Sequence, residues 1–297
     1  VVNTTRPHQL RTFVVVAEER HFTRAAARLR IAQPAVSQHI RKLERLLGQP
    51  LFERNARSVR LTRAGEMFLP HAQAALRAVE IGYAEVAAVS GGLRGALHVG
   101  VVDAVEPLGV PSLLARFHRR HPDVTLSVRQ AGSEDLLELV RSGTIDVAFL
   151  SFGDTATSPG VAVRWLQSSE RVVVVVPPDH ALAERGELRF ADIAQEALVT
   201  LREGTGNRSM VDRAFTDLGT HPRIVCDVSG IADVIDLVAE GIGICLLPES
   251  VAANAKRRIV AIPLVDPVMW RHLGLVWRSP EAVSSLARAF VSFTESL

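Results

Sequence analysis

Five polar side chains fall along one side of the segment IAQPAVSQHIRKLERLLG (31–48): Gln33, Ser37, Gln38, Arg41 and Arg45. On the opposite side Val36, Ile40, Leu43 and Leu47 recur at spacings of four, three and four, the stripe of a helix seated on a core. The polar set suits a definite chemistry. A Gln amide donates and accepts at once, matching the adenine edge in the major groove, and an Arg fork matches guanine O6 and N7. Ser37 is short enough to reach a base or phosphate without propping the helix away, and Arg41 and Arg45, one and two turns on, suit backbone phosphates. Many surface helices carry such faces for solubility alone, so the flanking sequence has to decide.

The flanks supply the elements that would aim this helix. A first helix fits 7–19, with Leu10, Phe13, Val14 and Ala17 on one face. HFTRAAARL follows, with Thr23 the expected N-cap of a second helix ending at Leu29 and a run of small residues at 25–27 that lets another helix approach. After a short turn, Gln33-Pro34 opens the third helix, where a proline's missing N–H costs nothing. Two short helices joined by a tight turn, the second polar outside, make a helix-turn-helix. QPLFERNARSVRLTRAG then reads as a β-hairpin wing with Arg54, Arg57 and Arg60 near its tip. Basic wing tips follow the DNA backbone or enter the minor groove, although solvation alone accounts for Arg60.

Charge divides along the same line. Residues 1–62 carry twelve basic and four acidic side chains, a net +8; the remaining 22 basic and 28 acidic give −6, and the two parts sum to the overall +2. A basic head on an acidic body fits a nucleic-acid-binding domain joined to a second module. Over the run FTRAAARLRIAQPAVSQHIRKLERLLGQPLFERNARSVRLTRAG the chain resembles, without a gap, the DNA-binding segment of the LysR-type transcriptional regulators. His21 departs from the pattern, which has a small polar residue before Phe-Thr, and is expected to alter the local capping.

Beyond the head, 63–89 is Ala-rich and interrupted only by Gly65, Pro70 and Gly82. Phe68, Ala72, Leu76, Val79, Tyr83 and Val86 form a narrow stripe. Packing against its own domain would explain the stripe; the resemblance instead implies pairing between chains in a homodimer or homotetramer. Pro70 is expected to bend or strain the helix near its start, and SGGLRG (90–95) supplies a hinge. The expected organisation is a winged helix-turn-helix over 1–62, a linker helix and hinge over 63–92, and a module over 93–297.

In that module short apolar runs alternate with helical segments, the pattern of an α/β domain with mostly parallel sheets. The chain builds one lobe (93–162), a second (163–266) and returns to the first (267–297). The resemblance implies the two-lobed architecture of periplasmic binding proteins, with a small-molecule effector in the cleft. Ligands in such sheets sit at strand carboxyl ends beside helix N-termini, which selects Asp103 and Ala104, Ser133 after Gly132, Thr200, Leu201 and Arg202, and Ile244 after Gly243. The family often has Ser or Thr where Ala104 stands, so one hydroxyl donor is missing. Arg202 is the expected grip on an effector carboxylate, although an Arg exposed beside a loop explains it equally well. Asp103 at the cleft edge would suit a donor or positive group, giving a carboxylate- or amino-acid-like ligand.

Other classes fit less well. The chain has no G-x-S-x-G, H-E-x-x-H, P-loop or G-x-G-x-x-G pattern. His118 and His121 flank two arginines that would repel a metal, and read as solvated histidines at a helix end. Neither cofactor nor metal is expected. Two cysteines, Cys226 and Cys245, without a C-x-x-C pattern fit a reducing cytoplasm. No apolar run approaches the roughly 20 residues of a membrane span, and the N-terminus does not read as a secretion signal. A secreted solute-binding protein leaves the basic head unexplained, and an architectural DNA binder leaves the body unexplained. The reading that covers every part is an effector-controlled, sequence-specific regulator, acting on near-palindromic double-stranded DNA with RNA polymerase as a further partner.

Overall fold

The computed structural model describes residues 6–55, 58–89, 92–103, 108–152, 160–255, 258–279 and 284–296. They divide into two compact units, one of Val1–Gly95 with Ser142–Thr144 and one of the remainder.

In the first unit α1 (Pro7–Glu19), α2 (Phe22–Leu29) and α3 (Gln33–Leu47) precede a hairpin of β1 (Phe52–Asn55) and β2 (Ser58–Leu61), then α4 (Arg63–Val89). The fully buried Phe13 joins them: its ring lies 5.4 Å from both Phe52 of β1 and Phe68 of α4. Val36, Ile40 and Leu43 enter this core from α3. Leu47, expected on the same stripe, stays 39% exposed because Gly48 takes a left-handed conformation and ends the helix there. The N-cap of α2 is His21 rather than Thr23. The His21 Nδ1 accepts from the Thr23 backbone N–H at 3.2 Å, and Thr23 itself lies inside the first turn with its side chain exposed.

The Leu61-Thr62-x-x-Gly65 run clamps α4 to the wing. Thr62 Oγ1 accepts from Gly65 N–H at 3.1 Å and donates to Pro50 O at 2.6 Å, while Thr62 N–H donates to Leu51 O at 3.0 Å. Gly65 must lack a side chain, since a Cβ there would stand 2.2 Å from Leu51 O. Pro70 lies inside α4 without interrupting it. The apolar stripe of α4 splits in two: Phe68, Ala72 and Leu76 pack on the head's own core, whereas Val79, Tyr83 and Val86 are exposed.

The second unit runs β3 (Gly95–Val101), α5 (Val110–Arg120), β4 (Val124–Gln130), α6 (Ser133–Arg141), β5 (Val147–Phe152) and the long β6 (Val161–Val176). It continues through β7 (Leu188–Arg189), α7 (Phe190–Ile193), β8 (Ala197–Leu201), α8 (Gly206–Asp217), β9 (Arg223–Val228) and α9 (Ile231–Ala239). β10 (Cys245–Pro248), α10 (Glu249–Ala253), β11 (Val260–Asp266), β12 (Trp270–Arg278) and α11 (Ser285–Phe293) complete it. The main sheet has the order β4-β3-β5-β12-β6-β11-β7, with β10 also on β6, and β8 pairs with β9 apart from it. The sheet is mixed rather than mostly parallel. β3 and β5 are parallel, as are β8 and β9, but β12 runs antiparallel to β5 and β6, and β10 and β11 run antiparallel to β6. The returning strand imposes this direction, because it comes back alongside the strand that left.

β6 passes unbroken across the expected lobe boundary at 162/163. Its first part, 161–171, pairs with β12; from Val172 it pairs with β10 and β11. The five valines 172–176 explain that uniform apolar run: Val172, Val174 and Val176 enter one core with Phe190 and Phe215, and Val173 and Val175 enter another with Val234 and Leu247. A strand covered on both faces has no polar alternation.

Gly65→Ala is expected to lower the stability of the N-terminal unit by about 1–3 kcal/mol through the forced contact with Leu51 O, read as a reduced unfolding midpoint. An unchanged midpoint would mean that α4 is not clamped to the wing.

Candidate nucleic-acid interface and ligand cleft

The outer face of α3 is as the sequence predicts. Gln33, Gln38, Arg41 and Arg45 are exposed and Ser37 is half-buried. Gln33 Nε2 donates to Ser37 Oγ at 3.0 Å, one turn apart, so the two side chains are already ordered toward the same side. Pro34 occupies the second position of the helix. Arg45 Nε reaches the Arg41 carbonyl at 3.4 Å, and neither arginine forms an ion pair among the described residues. The contrast with α2 is informative: Arg24 and Arg28 bind Glu19, and Arg28 also binds Glu18 at 2.7 Å. Those contacts raise the Arg28 pKa, the Glu19 hydrogen bond foremost. Cations on α2 are thus spent internally, while those on α3 remain available to an external anion. Arg54 lies in β1, Arg60 is exposed in β2, and Arg57 falls outside the described residues.

In the second unit a narrow cleft opens between the lobes. The first turns of three helices border it, through Ser133 of α6, Gly206 of α8 and Ile231 of α9; helix N-termini carry partial positive charge and unpaired N–H groups. The lobes approach closely here. A Cβ on Gly132 would stand 2.3 Å from Gly204 O, and one on Gly206 would stand 2.6 Å from Ser151 O. Ser133 Oγ donates to Ser151 O at 3.1 Å, and Ser209 Oγ crosses to Glu134 Oε1 at 3.1 Å. At the rim Gln130 Nε2 donates to the Asp103 carboxylate.

Arg271 is the cation of this cleft. It lies on β12 directly opposite Glu170 of β6, and its guanidinium Nη2 binds Glu170 Oε1. The Arg271 side chain is 3% exposed and that of Glu170 14%. Glu170 Oε2 also accepts from Ser250 N–H at 3.1 Å, tying α10 to the pair. One polar atom is left over: Arg271 Nε is buried without a hydrogen-bond partner, on a residue that lines the cleft. A buried guanidinium N–H without an acceptor is an uncompensated donor.

The sequence-derived candidates separate against this geometry. Asp103, Ser133 and Leu201 line the cleft. Arg202 does not: its side chain is exposed outside the lining, and its backbone shapes the turn before α8 by donating to Val228 O and accepting from Thr205 Oγ1. Thr200 is buried in β8, off the lining, with its hydroxyl unpartnered. Ile244 is core, bonded through its backbone to Ala197 and Val199. Ala104 lies outside the described residues. Sequence reasoning missed Arg271, Thr205 and Asn207, all of which line the opening. The available signal was Arg271 itself, a charge near the start of the strand WRHLGLVWR, whose centre LGLVW is apolar.

A recognition helix with uncommitted cations and a two-lobed module with a cleft between its lobes define a DNA-binding regulator with a ligand-receiving domain. Residues 7–66 match the bacterial regulatory helix-turn-helix proteins of the lysR family, and 90–296 match the LysR substrate binding domain. The HTH-type transcriptional regulator YybE of Bacillus subtilis (strain 168), itself uncharacterized, is 31% identical over 97% of each chain. A probable hydrogen peroxide-inducible genes activator of Mycobacterium avium is 33% identical over 91% of this chain and 87% of its own. Among solved structures, full-length CbnR complexed with its target DNA superposes with a TM-score of 0.68 at 26% identity, covering 98% of this chain and 99% of that one. The chain belongs to the LysR family: it is a transcriptional regulator with a DNA-binding head and an effector domain, not an enzyme.

Glu170→Gln is expected to cost about 3–5 kcal/mol of stability in the second unit, because it leaves the buried Arg271 charge uncompensated. The double variant Glu170→Gln/Arg271→Met should recover much of that loss. Equal midpoints for wild type and the single variant would show that the pair is not held as described.

Proposed function

We propose that this chain binds a near-palindromic operator as a dimer or tetramer and responds to a small carboxylate, amino-acid-like in type, held between its lobes. Gln33, Ser37 and Gln38 read base edges, Arg41 and Arg45 neutralise phosphates, and Thr23, Pro34 and the wing residues Arg54 and Arg57 seat the helix against the backbone. The observation that carries the effector class is the buried Arg271 Nε, unpartnered at a cleft bordered by three helix N-termini. Those groups favour an anion. Asp103, which also lines the cleft, favours a ligand with a donor or ammonium group as well. Arg202, Thr200 and Ile244 then act around the cleft rather than on the ligand, and Arg271 takes the grip that the sequence suggested for Arg202.

Assembly is supported by the exposed half of the α4 stripe, Val79, Tyr83 and Val86, and by the edge strands β4 and β9, which expose Val128 and Val225. Unpaired edges with apolar side chains invite a second copy. Effector binding shifts DNA affinity only by its differential affinity for two arrangements of the lobes. RNA polymerase is the partner through which a bound regulator would act.

A peroxide-responsive reading, drawn from the relative's name, has less support. The only two cysteines are Cys226, half-buried in β9, and Cys245, buried in β10 with its thiol pKa pushed well up by desolvation. Neither lines the cleft, and a buried, protonated thiol is a poor nucleophile.

Thermal-shift screening of the full chain against small carboxylates and amino acids is expected to find ligands that stabilise wild type and the Arg202→Ala variant but not Arg271→Gln. A ligand that stabilises Arg271→Gln as well as wild type would remove Arg271 from the site. Separately, Arg41→Ala should reduce the slope of log affinity against log salt by about one; an unchanged slope would exclude its phosphate contact.

A further inference from the structure

The side of α3 that faces α1 holds a cluster that the base-reading face does not explain. His39 of α3 stacks on His8 of α1 with ring centroids 4.7 Å apart. Between the helices Thr12, 2% exposed, donates its hydroxyl to the His8 carbonyl at 2.7 Å. That hydroxyl has one proton, so the 2.9 Å contact between Thr12 Oγ1 and His39 Nδ1 must be donated by the histidine. Nδ1 therefore carries the proton of the neutral ring, and Nε2 is the nitrogen left to take another. The groups acting on His39 are His8 from α1 and Lys42 from its own helix, both capable only of positive charge. His39 forms no ion pair with a carboxylate among the described residues. Burial first, then His8 and Lys42, hold its pKa below the usual 6.5.

Three groups of one potential sign, gathered on the recognition helix and the helix packed against it without a paired carboxylate among the described residues, fit an anion supplied from outside. We propose that His8, His39 and Lys42 form a phosphate-binding site at the α1–α3 junction, and that DNA binding takes up a proton there. The inference rests on the DNA-binding role of α3. A structural role for His39 needs only its Nδ1 bond to Thr12; it does not call for a second imidazole and an ammonium at the same edge. Protonation at Nε2 leaves the Thr12 bond intact and adds a donor for a phosphate oxygen.

In the free protein His39 is neutral at pH 7. A phosphate oxygen beside the pair favours the charged ring and raises its pKa in the complex. Affinity for DNA then rises as pH falls from the bound-state pKa toward the free-state pKa, and levels off below the latter. Each unit of difference between the two values corresponds to at most about a tenfold gain in affinity.

The test is fluorescence anisotropy of a short mixed-sequence duplex titrated with full-length protein at constant salt, from about pH 8 to about pH 5.5, a range that brackets the imidazole titration. Wild type, His39→Gln and His8→Gln are compared, with the unfolding midpoint of each recorded across the same range. Gln at 39 can still donate to Thr12, so the fold has its bond without the titration. The expected result is a several-fold gain in wild-type affinity on acidification, with most of that gain lost in both variants, each compared with its own affinity at about pH 8. Parallel pH profiles in wild type and variants would overturn the proposal, as would a wild-type affinity that falls on acidification with loss of folded protein. Salt-insensitive binding, or none, at every pH would overturn the DNA-binding role itself, and so is distinguishable from failure of the histidine site.

Discussion

The second unit depends on a buried charge that must be answered. Arg271 and Glu170 face each other on the two strands that pass between the lobes, the guanidinium buried and the carboxylate largely so. Burying an unpaired guanidinium or carboxylate costs several kcal/mol, so each fixes the other. Because Glu170 also accepts from Ser250, the pair holds β6, β12 and α10 in one arrangement. The guanidinium has more donors than the pair consumes, and the one left over belongs to a residue that lines the cleft. The same constraint thus joins the lobes and furnishes the cleft with its cation. A ligand oxygen at Nε would complete the hydrogen bonding of a group already desolvated, which is the basis of the effector class proposed above.

The head follows a parallel logic with opposite use of charge. Phe13 fixes α1, the wing and α4 on one core, and Thr62 with Gly65 sets where the long helix begins. Within that rigid frame, α2 neutralises its arginines with Glu18 and Glu19, whereas α3 keeps Arg41 and Arg45 uncommitted. Cations without internal partners on one helix face raise the local potential where a polyanion would dock. The exposed outer half of α4 lies beyond this core, which leaves it available for pairing with a second chain.

Much of this was legible in the sequence because the signals were local. The spacing of Val36, Ile40 and Leu43 identified α3 and its outer face, and FTRAAARL with the Gln33-Pro34 start located both helices. The capping of α2 was misassigned to Thr23 because histidine is not a common cap, and only the extended backbone at His21 brings its ring to the Thr23 N–H. The cleft was half legible. Asp103, Ser133 and Leu201 follow the rule that ligands gather at strand ends and helix starts, but that rule ranks residues by chain position and so selected Arg202. Arg271 is the second residue of its strand, not at a carboxyl end, and its role depends on a partner 101 residues away. Such a pairing is a fact of sheet register, which no local pattern encodes. The mixed direction of the main sheet escaped for the same reason, since β6 is long and its partners change along its length.

The proposed reading of sequence by a paired head is decided by selecting bound sites from a random duplex DNA pool with the full-length protein. The expected result is a motif of two related half-sites in near-palindromic order, lost when Gln33, Ser37 and Gln38 are replaced together by Ala. Salt-sensitive binding with no enriched motif would contradict it, leaving a basic head that grips the backbone without reading bases.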